Sequence, residues 1–167
     1  MRKSLALAAL LLVPRLVGAQ QLVPFTNDRW AFDTKDYALE EYQGKRGVKL
    51  KNNRAVLNGA AFENGVIDFD VAFPPNRAFV GVNFRADDDA NYEEFYLRPH
   101  QSGNPDANQY CPVISRTASW QLYYGEGYSA PVKYPFDQWF HVRLVVSGRQ
   151  MEVYVGDLET PALFVSD

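Results

Sequence analysis

Strict alternation of apolar and polar side chains is the feature that most limits the fold of this chain. Over residues 64–73, every second side chain from Ile67 to Phe73 is apolar, while Asp68 and Asp70 lie between them. Because neighbouring side chains of a β-strand point to opposite faces, this pattern predicts a strand with one buried and one solvated face. The same alternation recurs in residues 78–86, 91–98, 138–146 and 150–155.

Turns separate these segments and complete the prediction of the fold. Ser147-Gly148 lies between two alternating segments and predicts a β-hairpin. After residue 19, no stretch of 11 or more residues combines helical periodicity with capping residues. Further short strands are predicted at residues 47–51, 54–58, 109–114, 119–124 and 162–165. We therefore expect an all-β fold, an antiparallel two-sheet β-sandwich or jelly roll.

Residues 1–19 have the layout of a secretory signal peptide. Two basic residues precede a nine-residue apolar run, Leu5–Val13, which is too short to span a bilayer. Small residues up to Ala19 suit a signal peptidase, so we expect cleavage after Ala19, and an uncleaved anchor is the alternative. The prediction is a secreted or periplasmic protein whose β-sandwich domain covers residues 24–167.

The net charge of the chain limits the classes of molecule that it is expected to bind. The formal net charge is -3, and residues 1–19 hold three of the 17 basic residues and none of the 20 acidic ones. The mature domain therefore has a formal charge of -6, which gives no support for a nucleic-acid partner. We expect no membrane contact once the signal peptide is removed.

Cys111 is the only cysteine, so no disulfide can form within the chain. After export, a free thiol is usually buried or forms a bond to another molecule. The neighbours Tyr110, Pro112 and Val113 favour burial. Two histidines and one cysteine, far apart in the sequence, do not make a zinc site.

Two neighbouring strands carry a chemically mixed set of side chains on the face that should point to solvent. The set offers carboxylate, amide, guanidinium, imidazole and phenol groups. Sugars need such a mixture, because their hydroxyl pairs bond to planar polar groups and their C–H faces stack on aromatic rings. We therefore predict that a glycan or oligosaccharide binds there. The predicted binding residues are Asn83, Arg85, Tyr92, Glu94, Tyr96, Arg98 and His100.

The two arginines of this face leave its interpretation open. Arg85 and Arg98 could hold a carboxylate or sulfate group of a ligand. They could instead form cross-strand ion pairs with Glu94, and each exposed pair of that kind contributes little to stability.

The turn between these two strands is rich in side-chain oxygen atoms. Asp87, Asp89 and Asn91 are hard ligands of the kind that Ca²⁺ prefers. The spacing of an EF-hand loop is absent, and a solvated hairpin turn explains the same residues. Calcium binding is therefore one hypothesis for this turn, and no other cofactor is indicated.

A long polar loop, residues 99–106, follows the second of these strands. Long loops on rigid sheets often carry functional sites. His100 lies in this loop and could act as a general base, because histidine ordinarily titrates near neutral pH. If the domain is an enzyme, Glu94 and His100 are the candidates for catalysis.

Several segments resemble known families. Residues 139–146 and, after a turn, residues 151–157 look like the Trp-containing hairpin of laminin-G-like domains. Residues 65–71, 81–85 and 91–95 are similar to bacterial 3-keto-disaccharide hydrolase domains. Both families belong to the concanavalin A-like superfamily, so the resemblance implies a concanavalin A-like jelly roll over nearly the whole domain.

The resemblance implies three kinds of function, because one fold can host lectins, glycosidases and adhesion modules. The leading expectation is a secreted domain that binds a glycan on the polar face. One alternative is a hydrolase of the 3-keto-disaccharide type, with Glu94 or His100 as acid or base. The other is a laminin-G-like protein–protein adhesion module. At residues 66–70 the leading Glu of laminarinase-type glucanases is missing, which argues against their two-carboxylate mechanism.

The resemblance also bears on the end of the chain. Family members usually continue beyond the strand predicted at residues 162–165 with one or two closing strands. This sequence ends at Asp167, so we expect a truncated fragment whose sandwich lacks its last strands, and a sandwich with an open edge is the alternative. An unpaired edge strand would favour aggregation, which supports that interpretation.

Overall fold

The computed structural model describes residues 21–26 and 28–166, so the predicted signal peptide at residues 1–19 lies outside the described residues. Strands dominate this range, together with one 3-10 helix at Pro99–Gln101, and the range contains no α-helix. Accordingly, none of its helices is long and apolar enough to cross a membrane. The predicted all-β class is confirmed.

The described residues form thirteen strands, which we number in chain order. The first seven are β1 Trp30–Phe32, β2 Tyr37–Tyr42, β3 Lys45–Leu50, β4 Ala55–Leu57, β5 Gly65–Val71, β6 Val80–Asp88 and β7 Asn91–Leu97. The others are β8 Asn108–Ile114, β9 Thr117–Ala118, β10 Ser129–Ala130, β11 Phe140–Ser147, β12 Gln150–Val155 and β13 Leu163–Ser166.

Two larger sheets contain most of these strands. The five-stranded sheet has the order β10-β8-β7-β6, with β9 paired to β8, and the four-stranded sheet has the order β13-β12-β11-β5. Their pairings are antiparallel. Two small sheets pair β1 with β4 and β2 with β3. The predicted hairpin at Ser147-Gly148 joins β11 to β12, with Val146 opposite Met151.

The apolar side chains that alternate along the strands form one core shared by the two larger sheets. Phe95 of β7, Val142 and Leu144 of β11, and Val153 of β12 are all 0% exposed. Burying each such side chain stabilises the fold by about 1.5–3 kcal/mol. The predicted two-sheet β-sandwich is therefore confirmed.

The chain divides into two compact units. The smaller contains the described residues up to Leu39 together with Val48–Asn58, and the larger contains Glu40–Gly47 and the described residues from Gly59 onwards. In the smaller unit, the rings of Phe32 and Tyr37 stack at 3.8 Å between centroids. Both rings border an open cleft of about 460 Å³. The larger unit contains both larger sheets.

The strand predicted at residues 119–124 is wrong. The amides of Leu122 and Tyr123 both donate to the carbonyl oxygen of Ser119, which closes a turn. The apolar side chains that suggested alternation are exposed, Leu122 by 81%. Alternation produces a strand only where a neighbouring strand satisfies the backbone groups, and here the turn satisfies them locally.

The sequence did not predict β1, β2, β9 or β10. In β2, Glu40 and Glu41 are consecutive and remove the alternation on which the prediction depends. The strands β1, β9 and β10 have only two or three residues each. Strands this short leave little periodicity in the sequence, and β9 and β10 depend on pairing with the longer β8.

Arg85 lies at a β-bulge that turns its side chain away from the predicted polar face. Its φ is 48°, and the pairing of β6 with β7 shifts register between Phe84 and Asp88. The guanidinium donates to the Glu93 carboxylate at 3.1 Å and to the Gly148 carbonyl oxygen at 2.5 Å. The placement of Arg85 on the polar face is therefore wrong, because a bulge interrupts the alternation that predicted it.

Arg85 should be a stabilising link between β6 and the loops that border the four-stranded sheet. Two further bonds run to the Glu63 carbonyl oxygen (2.6 Å) and to Asn64 Oδ1 (3.1 Å). Because lysine cannot reproduce this planar fork, Arg85→Lys should lower the free energy of unfolding by about 1–3 kcal/mol. Urea unfolding measures the change, with the exposed Arg116→Lys as control. Equal effects of the two substitutions would contradict the linking role.

Gly81 permits the close approach of β6 and β7. A Cβ atom at this position would overlap the carbonyl oxygen of Phe95 and lie 2.6 Å from Cα of Tyr96. Gly81→Ala should therefore destabilise the fold by about 1–3 kcal/mol in thermal or urea unfolding. Gly47→Ala is the matched control, because its Cβ would meet only the Trp139 ring, at 3.4 Å. If Gly81→Ala proves as stable as the control, the close approach is not required.

Candidate functional site

We call the side of the five-stranded sheet that faces away from the core its outer face. The register places Asn83 of β6 opposite Glu94 of β7, and Glu94 opposite Cys111 of β8. By alternation along each strand, the outer face includes Gly81, Asn83, Tyr92, Glu94, Tyr96, Gln109, Cys111 and Val113. Four of the seven predicted binding residues, Asn83, Tyr92, Glu94 and Tyr96, are thus brought onto one surface.

Arg98 lies just beyond β7 and forms the centre of a buried polar network. Its guanidinium donates to Asp106 at 2.6 Å, to Gln109 at 2.5 Å and to the Tyr96 hydroxyl at 3.1 Å. The Tyr96 hydroxyl in turn donates to Gln109 at 2.9 Å. Burial raises the pKa of Tyr96 to about 12, although the charge of Arg98 opposes the rise. Arg98 and Tyr96 therefore serve the internal structure, and the Arg98 charge is paired with Asp106.

Gln109 connects this network to the turn at residues 119–124. Its Nε2 atom donates to the carbonyl oxygen of Trp120 at 2.7 Å and also to that of Tyr123. Gln109 is 0% exposed, whereas Trp120 is 47% exposed. The turn is therefore fixed against β8 beside the outer face. Sequence reasoning missed both residues, because these bonds join segments that no local pattern connects.

Glu94 and Cys111 form the middle of the outer face. The Cys111 thiol donates to Oε1 of Glu94 at 3.2 Å. Burial raises the pKa of Glu94, and the thiol hydrogen bond only partly opposes that rise. Burial and the neighbouring Glu94 carboxylate raise the pKa of Cys111 to about 12. Cys111 is buried, as the sequence predicts, and is held as a thiol beside a half-buried carboxylate.

Phe79 supplies an exposed aromatic surface at one end of the outer face. Its ring lies 5.7 Å from that of Tyr96 and 5.6 Å from that of His100, edge to face in both cases. The Arg98 guanidinium lies 5.8 Å from the same ring. Phe79 itself remains 57% exposed. The alternation of β6 extends to this residue and could have identified it, although it was not predicted as a site residue.

His100 lies in the short 3-10 helix at the end of the outer face. Its Nδ1 atom is buried and has no hydrogen-bond partner among the described residues. Its ring packs against Phe79. No hydrogen bond joins His100 to Glu94 within the described range, so the two catalytic candidates are not assembled as a pair.

The predicted calcium ligands lie in a tight hairpin turn. Asp88 pairs with Asn91, and the Asp88 carboxylate accepts the Ala90 amide at 2.7 Å. Asn91 donates its side-chain amide to Asp88, and its Oδ1 accepts the Ser115 amide at 3.0 Å. The oxygen that Asn91 would offer a metal is thus already bonded. Among the described residues there is no group of three His, Cys, Asp or Glu side chains placed to hold a metal ion. Of the predicted ligands Asp87, Asp89 and Asn91, these contacts engage only Asn91, and calcium binding at this turn stays a prediction.

The outer face of the four-stranded sheet is also polar, but its charges pair with one another. The His141 ring lies between two carboxylates, with Nε2 2.8 Å from Asp68 and Nδ1 2.9 Å from Asp70. Arg143 donates to Asp68 at 2.7 Å, and Lys45 donates to Asp70 at 2.7 Å. Burial works to raise the pKa of Asp68, but bonds from Arg143 and His141 outweigh it and hold the pKa below its usual range. Lys45 and Arg143 on this face are therefore each paired with a carboxylate, and the His141 ring bridges those two carboxylates.

Comparison of the chain with protein-family models, with curated proteins and with solved structures finds no match. The resemblance to concanavalin A-like domains therefore stays an expectation, and the geometry of the outer face carries the functional argument.

The Glu94 carboxylate should make the stability of the fold depend on pH. Because its folded pKa is raised, the folded protein holds this proton more tightly than the unfolded chain. The resulting stabilisation is present below the unfolded pKa and is lost as the pH rises through the folded one. The stability of the wild type relative to Glu94→Gln should therefore fall as the pH rises from the unfolded pKa of a glutamate through the raised folded one. Thermal unfolding across this range measures the difference.

Asp68→Asn provides a control with the opposite sign. The pKa of Asp68 is lowered in the folded state, so its stabilisation is present at neutral pH and is lost as the pH falls. The stability of the wild type relative to Asp68→Asn should therefore rise with pH. If the stability of the wild type relative to Glu94→Gln also rises with pH, Glu94 is not a desolvated carboxylate.

Proposed function

We propose that this protein binds a carbohydrate on the outer face of its five-stranded sheet. The observation that carries the proposal is the pairing of exposed Asn83 with half-buried Glu94 in one register row. Side chains directly opposite in an antiparallel pair lie about 4.5–5.5 Å apart at Cβ. An amide and a carboxylate at that spacing can bond to neighbouring hydroxyl groups of one sugar ring.

Exposed aromatic residues elsewhere along the same sheet support the same proposal. Sugar rings present apolar C–H faces that pack on aromatic side chains. Phe79 is 57% exposed at one end of the outer face, and Trp120, fixed to β8 through Gln109, is 47% exposed. The site combines a few polar groups with apolar surface, as small-molecule sites usually do.

The proposal extends to the setting of the domain. The signal-like sequence of residues 1–19 supports export to the periplasm or the cell exterior. We infer that the sandwich is of the concanavalin A-like type, on the strength of the sequence resemblance and of its two antiparallel sheets. The hydrolase and adhesion interpretations are supported by no comparable arrangement of the described side chains.

A glycan array tests the proposal with the domain from residue 20 onwards. We expect the wild type to bind at least one class of glycan. Phe79→Ala and Asn83→Ala should each weaken that binding about ten-fold, because each removes a stacking or hydrogen-bonding group. Titration calorimetry with the best glycan gives the dissociation constants.

Phe164→Ala is the matched control for loss of an exposed aromatic ring. Phe164 is 47% exposed and lies opposite Glu152 in the four-stranded sheet, away from the outer face of the other sheet. This variant should bind as the wild type does. Absence of binding to every glycan by a folded wild type, or equal losses in Phe79→Ala and Phe164→Ala, would overturn the proposal.

A further inference from the structure

We propose that the carbohydrate bound on the outer face carries a protonated amine, so that its class is an amino sugar with free amino groups. The carbohydrate part of this inference rests on the proposed function. The amine is inferred separately, from the charges that the structure leaves on the outer face.

The two arginines expected on this face do not supply positive charge to a ligand. Arg85 leaves the face at the bulge and donates to Glu93 at 3.1 Å. Arg98 is 8% exposed and is paired with Asp106 at 2.6 Å. Binding of a sulfate or carboxylate group to either of them would require its pair to break, and removing a partner from a desolvated ion pair is costly. The exposed Arg77 lies over the Phe79 ring, six residues before Asn83 in the sequence, and so does not neutralise Glu94.

Glu94, in contrast, has no cationic partner among the described residues. Its hydrogen bond comes from the neutral Cys111 thiol at 3.2 Å, and the residue opposite it in β6 is the neutral Asn83. Burial disfavours the charged form of this carboxylate and raises its pKa. A half-buried carboxylate without a counter-charge gains most from a ligand that brings a positive charge.

The geometry around Glu94 favours a compact cation on a sugar ring. Asn83 beside it is exposed and can bond to a neighbouring hydroxyl group, while Gly81 in the next row contributes no side chain. An ammonium group on a sugar ring could therefore reach Glu94 while the same ring bonds to Asn83. Phe79 lies four residues before Asn83, about 13 Å along the strand, so its exposed ring can pack on another sugar unit of an oligosaccharide.

Three oligosaccharides of equal length separate the amine from the rest of the sugar. They are a fully deacetylated chitosan oligosaccharide, its fully N-acetylated counterpart and a cello-oligosaccharide. In mildly acidic buffer, the wild type should bind the chitosan oligosaccharide about ten-fold more tightly than the other two, because only its amine forms a charge-assisted bond with Glu94. Glu94→Gln should abolish that preference.

Glu152→Gln controls for the overall acidity of the domain. It removes one negative charge, as Glu94→Gln does, but from the four-stranded sheet, where Glu152 accepts the Tyr154 hydroxyl at 2.6 Å. This variant should keep the ten-fold preference. Equal reductions in both variants would show non-specific attraction and overturn the inference.

The remaining outcomes separate this inference from the proposed function. If neutral glycans bind through Phe79 and Asn83 but the amine brings no preference, the inference fails and the proposed function stands. If no glycan on the array binds at all, the proposed function fails. Thermal unfolding of each variant confirms that the compared proteins are folded.

Discussion

The buried charge of Arg98 is the interaction on which the rest of the outer face depends. A guanidinium that is 8% exposed must be paired and hydrogen-bonded, or its desolvation would cost more than the fold can tolerate. Asp106 supplies the counter-charge, and Gln109 and Tyr96 supply further oxygen atoms. These partners come from the loop after the short 3-10 helix, from β8 and from β7, so satisfying one charge fixes three segments.

The same network determines what the site can recognise. Gln109 accepts from Arg98 and donates to two carbonyl oxygens of the turn at residues 119–124, which places that turn beside β8. The network also buries the positive charge of Arg98, which would otherwise lie on the outer face of the five-stranded sheet. One hydrogen-bond network therefore both fixes the turn that borders the candidate site and removes a positive charge from its surface. Glu94 is left as the carboxylate of the face that no cation of the described residues neutralises.

Alternation was sufficient to predict the sandwich but not the positions of its irregularities. The segments around β5, β6, β7, β11 and β12 repeat with period two, because one side of each contributes to a single core. A bulge defeats this reasoning, since β6 has two more residues than β7 between the pairs Phe84–Glu93 and Asp88–Asn91, and this interrupts the period at Arg85 without changing the composition. The turn at residues 119–124 shows the opposite failure. Its apolar and polar side chains alternate as in a strand, but the apolar side chains face solvent and the segment is a turn.

The candidate site was predictable only in part, for a related reason. Asn83 and Glu94 lie on strands joined by a short turn, so local pattern places them on one face. The partners of Arg98 depend on the pairing of β7 with β8 and on a loop that returns to the sheet. Such contacts join residues that are distant in sequence, and the residue types alone allowed Arg98 to pair with Glu94, with a ligand or with Asp106.

The two outer faces of the sandwich show why polarity alone does not identify a site. On the four-stranded sheet, Lys45 pairs with Asp70 and Arg143 pairs with Asp68, each within 3 Å, and the His141 ring lies between the two carboxylates. A ligand that bound there would have to replace bonds that the protein already makes. On the five-stranded sheet Arg85 and Arg98 are paired within the protein, and the exposed Arg77 lies at the far end of the face, 5.8 Å from the Phe79 ring, while Glu94 and Asn83 keep unused bonding capacity. The face with fewer charges is therefore the one that can gain free energy from a ligand, because its polar groups are not already satisfied by the protein.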